Sequence, residues 1–277
     1  MSVEQNIRLA RTPLMTGPTL QYAQQGDRSG EPIIFLHGYS DSWFSFSRVL
    51  PLLSSEYHAF ALTQRGHGDS DKPECCYTLD DFAADVDAFM EAVSIEEATL
   101  VGMSGGSFIA QRVALDYPHR VSRLVLISSA VTLRDNEAVM GLVEEMLALE
   151  DPISPEFVRE WQEVNVYHPV PDEFFATVVS ESLKLPARVW RDYWEGWCLN
   201  PIMLAGLARS TRQRWSCGGA GRRLLARRPR AACGSHPRCH IEGVPRDRPL
   251  GALGAPRGGR AGLGGVHERG TPRPIIL

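Results

Sequence analysis

No run in this sequence approaches the roughly 20 consecutive apolar residues of a membrane span. Its start, MSVEQNIRLA, lacks both the charged leader and the apolar stretch of a secretory signal. Both absences point away from a membrane partner and toward the cytoplasm. The six cysteines (Cys75, Cys76, Cys198, Cys217, Cys233 and Cys239) have no paired spacing, and sequence neighbours make poor disulfide partners. That excludes a small disulfide-stapled scaffold and agrees with a reducing compartment. Cys233, His236, Cys239 and His240 match no zinc-finger spacing, so no metal is expected. Lysine is missing from Arg209 onward.

What is present divides sharply in two. The 277 residues are 43% hydrophobic, enough for a sizeable core, and the net charge is −4. Up to Ala208 the chain carries 14 basic and 30 acidic residues, a net of −16. From Arg209 to Leu277 it carries 15 arginines and 3 acids, a net of +12. The two parts do not read as one protein.

Between residues 20 and 130, short apolar runs alternate with amphipathic ones, the pattern of βα units on a mostly parallel sheet. Strands are expected at Pro32–Gly38, His58–Gly66, Ala98–Ser104 and Arg123–Ala130. A helix is expected over Thr78–Val93, with Asp80 and Asp81 in its first turn favouring the dipole, and another follows Ser104. From Val131 to Ala208 the pattern turns helical and Pro-interrupted, and it holds Trp161, Trp190, Trp194 and Trp197. Such an insertion after a sheet strand reads as a cap over a pocket. The domain reading is therefore 1–130 core, 131–208 helical cap, and 209–277 an Arg/Gly/Pro-rich tail without order.

The informative stretch is Gly102-Met103-Ser104-Gly105-Gly106, a G-x-S-x-G between an expected strand and an expected helix. In that setting the motif lifts the Ser104 hydroxyl out on a sharp turn, and the small residues Gly102 and Gly106 avoid clashes around it. The Gly105 amide, at the helix N-terminus, can donate to a developing oxyanion. His37-Gly38-Tyr39 follows the first core strand, where a second oxyanion donor is required, and the Tyr39 amide is the candidate. His37 is read as a brace for that loop rather than as a base.

These elements (HGYSDSWFSF, QRGHGDSDKP, VGMSGGS and the helical insertion after LVLISSA) resemble the α/β-hydrolase superfamily, capped serine-hydrolase branch, over residues 18 to 208. The resemblance implies an α/β fold, a mostly parallel sheet with helices on both faces and a helical cap. It also implies a cofactor-free Ser–His–Asp hydrolase with a small-molecule substrate. Haloalkane dehalogenases and epoxide hydrolases of the superfamily place Asp at the nucleophile position, and here the residue is Ser104. That favours ester, lactone or related acyl chemistry. In RGHGDSD, His67 and Asp69 are expected to hold a loop. A cofactor-free perhydrolase and a non-catalytic ligand-binding protein remain alternatives.

The resemblance also requires an acid after the next core strand and a His near the C-terminus, in chain order after the Ser. Neither motif is present, which leaves the triad acid and base unknown and the C-terminal part of the fold missing. Asp135 reads as a solvated cap-hinge residue, and His236, His240 and His267 lie in the Gly/Pro/Arg-rich run. PRGGRAG has the look of an RGG segment, yet a shifted reading frame explains more, so no nucleic-acid partner is expected. Asp247-Arg248-Pro249 written GAC CGG CCA reads one base later as Thr-Gly-His. Residues 250–259 then continue in that phase as Ser-Ala-His-Trp-Glu-His-Pro-Glu-Glu, the family's base motif. Thr211–Gly219, with a suitable choice among its allowed codons, reads in the other phase as Ala-Pro-Ala-Leu-Val-Leu-Trp-Gly, the family's strand before the acid. Shifts near Ala208 and Ala220 account for both.

Overall fold

The computed structural model describes residues 7–130, 137–198 and, as backbone, 214–218. Asp135, His236, His240, His267 and the 219–277 segment lie outside the described residues. A seven-stranded sheet runs in the order β1-β2-β4-β3-β5-β6-β7. The strands are β1 Arg8–Pro13, β2 Thr19–Gln25, β3 Glu31–Leu36, β4 Tyr57–Leu62, β5 Ala98–Met103, β6 Val121–Ile127 and β7 Arg214–Gly218. β1 and β2 form an antiparallel hairpin that joins β4, and β4-β3-β5-β6-β7 are parallel. All four expected core strands form. The hairpin had no sequence expectation, and β7 lies in the tail that was expected to be without order.

The sheet buries both faces of its centre. In β3, Ile34 and Leu36 join the larger core with Phe60, Leu62 and Leu100, while Ile33 and Phe35 join a smaller one with Phe46, Leu50 and Val101. The larger core is covered by α1 (Leu79–Ala92) and α2 (Gly105–Asp116). α1 begins at Thr78, whose hydroxyl accepts from the Asp81 amide while the Asp81 carboxylate accepts from the Thr78 amide. That reciprocal cap fixes where the helix starts. On the smaller core's side, Met103, Val125 and Ile127 remain only partly buried.

Between 137 and 198 every described element is helical: α3 Glu137–Leu147, α4 Pro155–Val164, α5 Asp172–Ser182, α6 Ala187–Tyr193, and a π-helical turn over Trp194–Cys198. Their aromatic residues pack inward. Trp190 and Tyr193 are fully buried in the same core as the sheet. Cys75 and Cys76 are joined as a vicinal disulfide, against the expectation for sequence neighbours, with Cys76 in the left-handed region at φ +76°. Among the described residues, no helix is long and apolar enough to cross a membrane.

Candidate active site

The parallel register aligns Leu36 of β3 with Gly102 of β5, and Gly102 with Leu126 of β6. The carboxyl ends of three strands therefore open at one place, and the candidate residues sit in the turns that leave them. Ser104 occupies the β5–α2 turn with φ +48° and ψ −118°, a conformation that costs a non-glycine residue about 1 to 3 kcal/mol. Its amide donates to the Ile127 carbonyl at 2.9 Å, and its carbonyl accepts from the Ser107 amide at 2.8 Å and hydroxyl at 2.6 Å. These bonds hold the strained turn. The Gly105 amide follows at the first position of α2, where no intrahelical acceptor exists.

The flanking glycines are dictated by space. A Cβ on Gly106 would lie 2.1 Å from the Leu36 carbonyl oxygen, and one on Gly102 would lie 2.4 Å from the Gly106 oxygen. Strand β3, strand β5 and helix α2 thus approach closely enough to bring the two turns together. A Cβ on Gly38 would touch Ser104 Cβ at 3.4 Å. The Gly38–Tyr39 peptide accordingly lies beside Ser104.

His37 is fully buried with both ring nitrogens engaged. Its Nε2 accepts from the Gln64 amide at 3.0 Å, and its Nδ1 donates to the Gly38 carbonyl at 2.7 Å. Burial, helped by the neighbouring His67, holds its pKa well below 6.5, so the ring is neutral. Bracing is what this geometry permits. His67 is likewise buried; its Nδ1 donates to the Arg65 carbonyl at 2.9 Å, and burial lowers its pKa to about 4. Among the described residues, no imidazole is hydrogen-bonded to the Ser104 hydroxyl. Asp69 accepts from Lys184 at 2.8 Å and Gln21 at 3.2 Å, tying its loop to the helical layer.

Sequence reasoning missed several residues around this site. Asp41 places Oδ2 at 3.4 Å from the same Gly38 Cβ position that Ser104 touches, so its carboxyl faces Ser104 across Gly38. The residue keeps some exposure, but protein surrounds the carboxyl, and that burial raises its pKa to about 6 against hydrogen bonds from Ser45 and Gln162. The surroundings of Ser104 therefore contain a charge-capable group where none was expected. Tyr39 is caged edge-on by Trp161, Trp190 and Trp194, with ring centroids 5.5, 5.1 and 5.8 Å away, and its hydroxyl donates to the Trp190 carbonyl at 3.0 Å. Among the described residues, no group of three or more His, Cys, Asp or Glu could hold a metal ion.

A family model described as alpha/beta hydrolase fold matches residues 31–216. A non-heme chloroperoxidase of Streptomyces lividans is 38% identical over 117 residues, 41% of this chain and 42% of that protein. Mouse epoxide hydrolase 4 is 31% identical over 115 residues, 41% of this chain and 32% of that protein. The matched stretches thus span less than half the length of these curated relatives. A solved hydrolase from Pseudomonas aeruginosa PA01 superposes with a TM-score of 0.64 at 20% identity, covering 76% of this chain and 80% of that one. At that identity the likeness speaks for the fold alone.

Proposed function

The chain belongs to the alpha/beta hydrolase family, and from that premise we propose that Ser104 is the nucleophile of a hydrolase for small, mostly apolar esters, lactones or related acyl groups. The observation that carries this reading is the backbone of Ser104, held at φ +48° on the strand–helix turn with the Gly38–Tyr39 peptide against it. The Ser104 hydroxyl attacks the acyl carbon, its proton passes to a base, and the Tyr39 and Gly105 amides bind the oxyanion. The alcohol leaves with a proton, and water then releases the acid from the acyl-enzyme. The helical layer over 137–198, with its caged Tyr39, supplies an aromatic cap for an apolar acyl group. A serine at position 104 favours acyl chemistry over the epoxide opening for which the mouse relative is named.

The base and its orienting acid belong to the segment from Arg209 on, spelled out of frame, and this chain is accordingly an inactive or impaired member. Two observations support that. His37, next to the Gly38–Tyr39 peptide, has both ring nitrogens engaged, and neither it nor His67 is hydrogen-bonded to Ser104. The backbone of Arg214–Gly218 pairs parallel to β6, and codons allowed for these residues read in a shifted phase as Leu-Val-Leu-Trp-Gly.

Hydrolysis of p-nitrophenyl butyrate tests both parts. Restoring the frame across 209–277 raises turnover by about 10³-fold or more, the scale on which a triad outperforms its remnant. Ser104→Ala in the restored protein returns it to the level of the present chain. Equal turnover before and after restoration overturns the frame argument, and so does a close relative whose intact gene ends in the same basic tail. The 38% identity to a chloroperoxidase favours perhydrolysis as the second reading, with peroxide taking the place of water. Peracid formation from acetate and hydrogen peroxide by the restored protein distinguishes it. A non-catalytic ligand-binding role predicts ligand binding without turnover in either version.

A further inference from the structure

The loop that carries Tyr39 is held from the helical layer. Trp161 and Gln162 are neighbours on α4, about 120 residues downstream of the loop. The Trp161 indole donates to Ser40 Oγ at 2.9 Å. The Gln162 amide nitrogen donates to Ser40 Oγ at 3.2 Å, to Asp41 Oδ1 at 3.2 Å and to Ser182 Oγ at 2.8 Å. Ser40, Gln162 and Ser182 are all buried, so these bonds are made out of competing water. Two N–H protons serve three acceptors, and two of those acceptors sit on the loop.

The loop needs that support. Ser40 has φ +63°, a left-handed conformation that a serine leaves unless its surroundings hold it. Within the loop the Asp41 amide donates to the Gly38 carbonyl at 3.3 Å, which closes the turn but does not fix where it points. Both lone pairs of Ser40 Oγ are taken by α4, and the next residue is bound by the same amide. The residue before Ser40 is Tyr39, whose amide faces the nucleophile turn in the reading above.

We propose that Gln162, with Trp161, is a positioning residue for acyl transfer at Ser104: the cap helix aims the Tyr39 amide by clamping Ser40 and Asp41. This rests on Ser104 being the nucleophile. It makes the oxyanion site a joint product of core and cap, so that displacing α4 loosens the site without touching Ser104.

The present chain is suited to the test, because with the base out of frame the residual reactivity of Ser104 comes from the oxyanion donors and binding. A fluorophosphonate is titrated against the full chain, and the maximal labelling rate is separated from the half-saturating probe concentration. Gln162→Leu lowers the maximal rate by about tenfold to a hundredfold, the cost of a misplaced donor, and leaves the half-saturating concentration unchanged. Trp161→Phe, which keeps an aromatic ring and removes only the donor, lowers the rate in the same direction and serves if Gln162→Leu folds poorly. Ser182→Ala removes the third acceptor of the Gln162 amide without touching the loop, and its rate stays at the parent value. Equal slowing in Ser182→Ala and Gln162→Leu overturns the proposal in favour of general packing, as does an unchanged rate in Gln162→Leu. If the parent chain is never labelled at Ser104, as a missing base entails, the frame-restored protein is titrated instead: no labelling there overturns the nucleophile reading, and amide hydrogen exchange over 38–45 then decides the clamp. Faster exchange in Gln162→Leu but not in Ser182→Ala sustains it, and no change overturns it.

Discussion

At the scale of single residues, the turn that carries Ser104 is a problem of missing atoms. Gly106 stands where a methyl group would meet the Leu36 carbonyl at 2.1 Å, and backbone there cannot yield without separating β3 from α2. Gly106→Ala is expected to cost about 3 kcal/mol in urea denaturation, the upper range for overpacking. Gly141, in α3 with nothing within 4 Å of a Cβ, is the contrast. Gly141→Ala is expected to stabilise by about 0.5 to 1 kcal/mol, since a helix interior favours alanine. A loss at Gly141 as large as that at Gly106 would contradict this account. The strained turn at Ser104 with its glycines and the Gly38–Tyr39 turn beside it were legible because their patterns are local, written within five consecutive residues or directly after a strand. Asp41 and Gln162 were not, because each is an ordinary polar residue whose meaning comes from a partner some 120 positions away.

At the scale of elements, the pattern of β3 to β6 with α1 and α2 was readable because buried strands are apolar runs and the helices carry their own caps. The β1–β2 hairpin was not. Strand β2 reads TLQYAQQ, and two of its three glutamines are buried: Gln21 and Gln25 are 8% and 5% exposed, bonded to Asp69 and the Leu50 carbonyl. Buried amides with distant partners erase the alternation that marks a strand. Strand β4 is joined to α1 by a similarly hidden bond. Arg65, just past β4, donates twice to Asp85 of α1, at 2.7 and 2.6 Å, and once to the Cys76 carbonyl at 2.7 Å. The two side chains are 5% and 3% exposed. Removing one partner leaves a buried charge, so Arg65→Met is expected to destabilise by about 3 to 5 kcal/mol. The double replacement Arg65→Met with Asp85→Leu is expected to recover most of that loss. If the double variant is as unstable as the single one, the cost lies in lost packing rather than in the stranded carboxylate.

At the scale of the molecule, acid sensitivity follows from the groups buried beside the site. His67 is held neutral down to about pH 4, whereas the unfolded ring takes a proton below 6.5. The stability it carries is complete above pH 6.5 and lost as pH falls toward 4, a difference of about 3 kcal/mol, and His37 acts in the same direction. Asp41 opposes them. Its native carboxyl keeps a proton up to about 6 instead of 3.8, so its own contribution improves as pH falls through that window. Two histidines outweigh one carboxyl, and urea denaturation is expected to show stability falling between pH 7 and 5. Asp41→Asn removes the opposing contribution, so it raises stability at pH 7 and steepens the fall. An unchanged fall in that variant would show that the carboxyl is ionised normally. The net charge of −4 conceals a larger asymmetry, because the acidic part holds β1 to β6 and every described helix, and of the described fold the basic part contributes β7. On the smaller-core side of β5 and β6, Met103, Val125 and Ile127 stay partly exposed. A sheet of this kind is stable when helices cover both faces. On the proposed frame the restored segment covers that face, so the restored protein is expected to bind less of a hydrophobic dye and to melt several degrees higher, as about 1 kcal/mol or more of added burial dictates. The outcome bears on the frame argument independently of catalysis: a restored chain that gains esterase activity but no stability would mean that the missing segment supplies chemistry alone, and the exposed β6 residues would then need another explanation.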